Sequence, residues 1–170
     1  LDRSHFERSP VDAGRFDGDA FRPYNVLPDA LLVNYKSLRF AFAPEPERGT
    51  VRLYVEPRPP ALEVVNALRL SEGACPEGAA FRELLKTTFE PARQRAIFAG
   101  RYPASCGEKD LNVALLEPND HVAGTLRQLW SEMGGAWNGA ARDGQVPPGA
   151  RLLHALESPA LAEIVRDTNK

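Results

Sequence analysis

The chain holds seven serines, Ser4, Ser9, Ser37, Ser71, Ser105, Ser131 and Ser158. A serine becomes a nucleophile only beside a base, and the enzymes that use one show it as a fixed spacing. None of the seven is followed by Lys three residues later or by Asn two residues later, and no Gly-x-Ser-x-Gly elbow occurs. His-Glu-x-x-His, a P-loop and Gly-x-Gly-x-x-Gly are also missing. His5, His121 and His154 are scattered, and His121 reads as an exposed residue in the first turn of a helix. The cluster Asp12, Asp17 and Asp19 lacks the ligand spacing and the closing Glu of an EF-hand loop, and reads as a solvated loop. No carboxylate pair suited to general acid–base work stands out. The sequence therefore assigns no catalytic residue, no cofactor-binding residue and no metal ligand to this chain.

Cys75 and Cys106 sit in turn-like settings, "EGACPEG" and "YPASCGEK". Two thiols cannot complete a four-ligand structural zinc site without histidines, and those are dispersed. Two readings stand: unpaired surface thiols in a cytosolic protein, or a disulfide in an exported one. The second is favoured. The bridge would close a loop of about 32 residues, worth roughly 3–4 kcal/mol in the chain-entropy model. The 170 residues suffice for one medium domain or two small ones, at 43 % hydrophobic and 26 % charged. A net charge of −2 argues against nucleic acid as a partner. No apolar run approaches the roughly 18 residues of a membrane span.

The elements that would have to position any site follow from periodicity. Residues 1–36 are irregular, broken by Pro and Gly. Over 37–56, Leu38, Phe40 and Phe42 alternate with Arg39 and Ala41, and Val51, Leu53 and Val55 alternate with Arg52 and Tyr54. Period-two alternation around "APEPERGT" predicts an antiparallel hairpin with six apolar side chains on one face. "ALEVVNALRL" at 61–70 reads as a strand. "ELLKTTFEP" and "RQRAIFAGRYP" read as a second hairpin, and "NVALLEP" at 112–118 as a short buried strand. "PNDHVAGTLRQLWSEMGG" is the clearest helix, capped by Asn119 or Asp120 and ended by Gly134 and Gly135. Val122, Leu126, Leu129, Trp130 and Met133 form its apolar stripe. "AWNGAARDGQVPPGARLLHALES" offers two short strands around a Pro-Pro-Gly turn, with Trp137 in the core. A last helix starts with Ser158 as N-cap and Pro159 at its first position, and carries Leu161, Ile164 and Val165 on one face. The expected class is α+β with mainly antiparallel sheet.

Several stretches together resemble the D-alanyl-D-alanine carboxypeptidase/endopeptidase family, the low-molecular-mass class C penicillin-binding proteins. They are "LDRSHF" at 1–6, "FRPYNVLPDALLVNYKSLRFAF" at 21–42, "HVAGTLRQLWSEMGGAWNG" at 121–139 and "VPPGARLLHALESPALAEIVRDTNK" at 146–170. Cys75 and Cys106 resemble a cysteine pair found in some members. In that family the last stretch runs into a Ser-x-Asn motif. The triplet Lys86-Thr87-Thr88 nearly matches the family's Lys-Thr-Gly, but Thr88 replaces the Gly that lets substrate approach a strand edge, so it reads as ordinary strand.

The resemblance implies a parent that is a periplasmic serine peptidase acting on peptidoglycan stem peptides through an acyl-enzyme, with β-lactams acylating the same serine. It implies that the Ser-x-x-Lys lies upstream of Leu1 and the Lys-Thr-Gly downstream of Lys170. Residues 1–157 would be a non-catalytic insert, divisible into two subdomains near 107–112. Residues 158–170 would begin a helix of the catalytic domain, cut before the second motif. The partners implied are peptidoglycan, through the parent enzyme, and the remainder of the catalytic domain. The isolated chain is expected to be inactive, and the location periplasmic or exported. The competing reading is a free-standing binding module that shares the fold without the enzyme.

Overall fold

The computed structural model describes residues 1–6 and 11–169, so Ser9 and Lys170 lie outside the described residues. The alternating stretch forms β1 (Leu38–Glu45) and β2 (Thr50–Glu56), joined through a 3-10 turn at Pro46–Arg48. Their antiparallel register sets Phe40 opposite Val55 and Phe42 opposite Leu53. Leu38, Phe40, Phe42 and Val51 are buried, and Leu53 and Val55 pack against them at partial burial. The six-residue face expected of this hairpin is therefore the floor of the core. At roughly 1.5–3 kcal/mol per fully buried side chain, it is a principal source of stability.

The next segments are β3 (Glu63–Asn66), β4 (Arg69–Ser71), α1 (Gly78–Leu85), β5 (Thr87–Glu90), β6 (Arg95–Phe98), β7 (Arg101–Pro103) and β8 (Lys109–Val113). Three small sheets result, ordered β2-β1-β8, β3-β6-β5 and β4-β7. The pairs β1/β2, β1/β8 and β5/β6 are antiparallel, while β3/β6 and β4/β7 are parallel. The fold is α+β with mainly antiparallel sheet, and the second expected hairpin is β5/β6. The "strand" at 61–70 is two short strands, β3 and β4.

The front of "ELLKTTFEP" departs from its expected conformation. Glu83–Leu85 ends α1, whose Phe81 and Leu85, four residues apart, both enter the core. Lys86 then turns left-handed with φ 44° and releases the chain into β5. At Gly100 the chain crosses the end of α1 so closely that a Cβ would lie 1.7 Å from the Leu84 carbonyl oxygen. The core closes over aromatic contacts, with Phe42 centred 5.3 Å from Phe98 and 5.8 Å from Tyr102. The Tyr102 hydroxyl donates to the Gly107 carbonyl at 2.8 Å. Burial pushes its ionisation up to about 12. A disulfide joins Cys75 to Cys106, 31 positions apart, pinning the loop before α1 to the turn after β7. Ala114–Leu116 are buried as expected of "NVALLEP", but the strand lies earlier, at β8.

Helix α2 spans Pro118–Glu132, with Glu117 at the N-cap, two residues before Asn119 and three before Asp120, the expected caps, and Pro118 at the first position. The remainder differs from expectation. The Pro-Pro-Gly turn forms, its Ala150 N–H donating to the Pro147 carbonyl, but neither flanking arm is a strand among the described residues; the arm before the turn bonds to Leu1 and Asp2 instead, and both arms stay largely exposed. A strand needs a neighbouring strand for its backbone groups, and among the described residues none lies alongside these arms. Helix α3 spans Leu161–Thr168 with Ala160 as N-cap and no side-chain cap, so Ser158 and Pro159 stay outside it. Trp137 is half-buried and stacks against the Arg127 guanidinium, 5.2 Å from the ring centre, away from the core.

Candidate functional site

Among the described serines, the hydroxyls of Ser4 and Ser105 have visible partners, and neither partner is an effective base. Ser4 donates to the Asp2 carboxylate at 2.6 Å, and that contact and the Ser4 N–H hold Asp2 down at about 2, far too weak a base to activate a hydroxyl at neutral pH. Ser105 donates to the Gly73 carbonyl at 2.6 Å. Lys86 sits at the left-handed end of α1, and Thr87 and Thr88 pair with Phe98 and Ile97 along β5, an edge strand of its sheet. What the triplet lacks is the Gly: Thr88 stands where Lys-Thr-Gly has the residue that lets substrate approach such an edge. The acidic loop is internally satisfied: Asp17 accepts from Tyr24 and Asn25, Asp12 from the Gly14 N–H, and Asp19 pairs with Arg22 at 2.6 Å. Among the described residues, no three His, Cys, Asp or Glu side chains converge as metal ligands.

The polar groups that do converge are ones the sequence left unmarked. Arg3 is buried, and its Nε donates to Asp29 Oδ1 at 2.6 Å. Its Nη1 donates to Asn119 Oδ1 at 2.6 Å and to Asp143 Oδ1 at 2.7 Å. Three segments are thereby knotted at the start of α2. Around the knot the chain adds backbone bonds, with the Leu1 ammonium donating to the Arg142 carbonyl and Gly144 N–H to the Leu1 carbonyl. The Val146 N–H donates to Asp2 Oδ2. No sequence spacing could have revealed partners 26, 116 and 140 positions apart.

His121 corrects the reading of an exposed first-turn residue: it is 1 % exposed. The start of α2 does not project into water but is laid against residues 33–36. Burial pushes the imidazole below its ordinary value and Lys36 adds to this. The Val33 carbonyl opposes both, without reaching hydrogen-bond geometry on either ring nitrogen. Burial also lowers Lys36, against the pull of Glu117 and Asp29. Arg3, Asp29, Lys36, Glu117 and His121 all line one cavity of about 870 Å³ between the 20–36 loop, Leu115 and the first turn of α2.

The second feature is apolar. Only the first half of α2, His121–Thr125, is buried. Gly124 makes this possible, because a Cβ there would lie 2.5 Å from Pro59 Cβ. The stripe read from sequence continues past the body: Leu126, Leu129, Trp130 and Met133 are exposed. So are Leu152, Leu153 and Leu156, and Leu161, Ile164 and Val165 of α3. These are large apolar side chains left in water, all within residues 126–165.

No helix is long and apolar enough to cross a membrane among the described residues. A comparison with curated proteins gave no significant match. A comparison with protein-family models gave one for the D-Ala-D-Ala carboxypeptidase 3 (S13) family, covering residues 1–170. That coverage takes in the aromatic β core, the disulfide loop and both exposed helical faces alike, and the chain belongs to the D-Ala-D-Ala carboxypeptidase 3 (S13) family.

Proposed function

We propose that this chain is the region of a serine-type D-Ala-D-Ala carboxypeptidase/endopeptidase that lies between its Ser-x-x-Lys and Ser-x-Asn motifs. It hydrolyses nothing by itself. The catalytic Ser would attack the D-Ala–D-Ala carbonyl and expel the terminal D-Ala, and water would release the acyl-enzyme. The family's motif Lys would assist the proton transfers. All these groups come from chain outside the 170 residues. Residues 1–157 serve as the non-catalytic insert, and residues 158–170 start a helix of the catalytic domain. The parent reaches peptidoglycan stem peptides in the periplasm or outside the cell, where a Cys75–Cys106 disulfide is stable.

The observation that carries the reading is the pairing of an absent site with an uncovered face. The three motifs of the family are missing from the chain, while Leu126, Leu129, Trp130 and Met133 of α2 and the apolar side of α3 lie open. A catalytic domain packed on those faces would bury both. The competing reading, a free-standing wall-binding module, leaves this surface unexplained.

The test is labelling by a fluorescent penicillin. The 170-residue chain alone should take up none, whereas the same chain joined to flanking sequence that carries the motifs should label. Covalent labelling of the isolated chain would overturn the proposal. Hydrogen exchange on the two proteins locates the contact. Amides of 126–133 and 161–169 should gain protection in the longer protein, and equal exchange in both would remove the docking role.

A further inference from the structure

The cavity beside α2 carries polar groups that the fold does not satisfy, and their chemistry selects a ligand. Its volume, about 870 Å³, falls within the roughly 300–1,000 Å³ of small-molecule sites. Phe21, Leu31, Leu32, Val33, Leu115 and Val122 supply apolar wall. Two polar side chains in that wall are more than nine-tenths buried, Arg3 at 8 % and His121 at 1 % exposure. Among the described residues, Arg3 Nη2 and both ring nitrogens of His121 have no hydrogen-bond partner. Buried groups of this kind are costly to leave unmatched. Arg3 offers a donor, and a neutral imidazole offers one donor and one acceptor.

Charge narrows the choice. The cavity is lined by two cations, Arg3 and Lys36, and three anions, Asp29, Glu117 and Asp143. With His121 neutral, the described residues of the lining carry one negative charge in excess. An anionic ligand would enter a site whose arginine is already held by two carboxylates. A cationic ligand would face the donors of Arg3 and His121. A neutral amide brings a carbonyl acceptor and an N–H donor, and an apolar body suits the walls. We propose that this cavity binds a neutral, largely apolar amide whose carbonyl and N–H groups meet Arg3 Nη2 and the His121 ring. The site is separate from the hydrolytic role proposed above and does not depend on it. The amide can belong to a free N-acyl amide or to a stretch of peptide.

The experiment is an NMR titration of the full 170-residue chain labelled with 15N-histidine. N-acetyl-leucinamide should shift both ring nitrogens of His121 in a saturable way, with a dissociation constant in the millimolar range expected of so small a probe. N-acetyl-leucine, the same body ending in a carboxylate, should bind at least about tenfold more weakly. Ala30→Trp, at an exposed position on the cavity lining, should weaken amide binding by about tenfold or more while leaving the backbone fingerprint in place. A capped tripeptide with a central leucine distinguishes the sources: tighter binding than the single amide points to a peptide segment, and equal binding to a free amide. Unmoved His121 resonances at saturating probe would overturn the proposal, as would a carboxylate that binds as well as the amide. If Ala30→Trp does not fold, the comparison of amide with carboxylate on the unmodified chain still decides.

Discussion

The β-rich body and the C-terminal third of this chain use the same apolar residue types to opposite ends. In the body, Phe40, Phe42, Phe98 and Leu85 are wholly buried. In the last third, Leu153 and Leu156 are 82 % and 92 % exposed. The boundary runs through the middle of α2, whose first two turns lie against Pro59 and residues 33–36 and whose last two project beyond them. Apolar side chains lower the free energy only when something covers them. The body supplies its own cover through non-local strand pairing. The C-terminal third finds little cover within the described residues, so its apolar side chains stay in water while those of the body drive folding.

The largest expected difference tests this division directly. Phe98→Ala, which removes ring contacts with Phe40, Phe42 and Phe89, should cost about 3–5 kcal/mol in urea denaturation. Leu156→Ala should change the same curve by less than about 0.5 kcal/mol. A Leu156→Ala cost comparable to that of Phe98→Ala would erase the contrast. Next comes the disulfide, which belongs wholly to the body. Replacing Cys75 and Cys106 together by Ala should lower stability by about 2–4 kcal/mol, with the protection of amides in 161–169 unchanged.

At the boundary itself, Gly124→Val would push a methyl-bearing carbon into Pro59 and should cost about 1–3 kcal/mol. Met133→Ala, on the projecting half, should be near neutral in the isolated chain. The pH response is smaller and has a defined sign. His121 binds its proton less readily folded than unfolded, so the unfolded state takes up more protons as pH falls below the ordinary 6.5. Stability should therefore decline from pH 6.5 down to the lowered folded value. His121→Gln should flatten that slope between pH 5 and 7, and an unchanged slope would mean that another group sets it. The smallest effect is local. Asp2→Ala removes the carboxylate that receives the Val146 N–H, and should speed exchange at Val146 with little change in the unfolding midpoint.

How far these regions could be read in advance depended on the range of the interactions that shape them. The β1–β2 hairpin was legible because Leu38, Phe40, Phe42, Val51, Leu53 and Val55 carry their own period and a turn lies between them. Helix α2 was legible for the same reason. The helix α1 was missed because its helical residues share a short apolar run with the strand that follows, and only Lys86 in a left-handed conformation separates the two. The paired strands expected on either side of Pro147 and Pro148 failed for lack of a sheet to join. Arg3, Asp29, Asn119 and Asp143 could not have been grouped at all, since nothing local signals a contact across most of the chain.

The amino-acid sequence by itself determined the α+β class, the first hairpin, the long helix, the favoured pairing of Cys75 with Cys106, and the absence of the family's catalytic motifs from these residues. Periodicity, turn chemistry and motif spacing are local properties, written in neighbouring residues. Only the tertiary structure decided which half of α2 is covered and that His121 is buried without a hydrogen bond to its ring among the described residues. Only it decided that Arg3 ties three distant segments beside a cavity. Burial and charge pairing depend on what else arrives at the same place, and that is set by the folded chain as a whole.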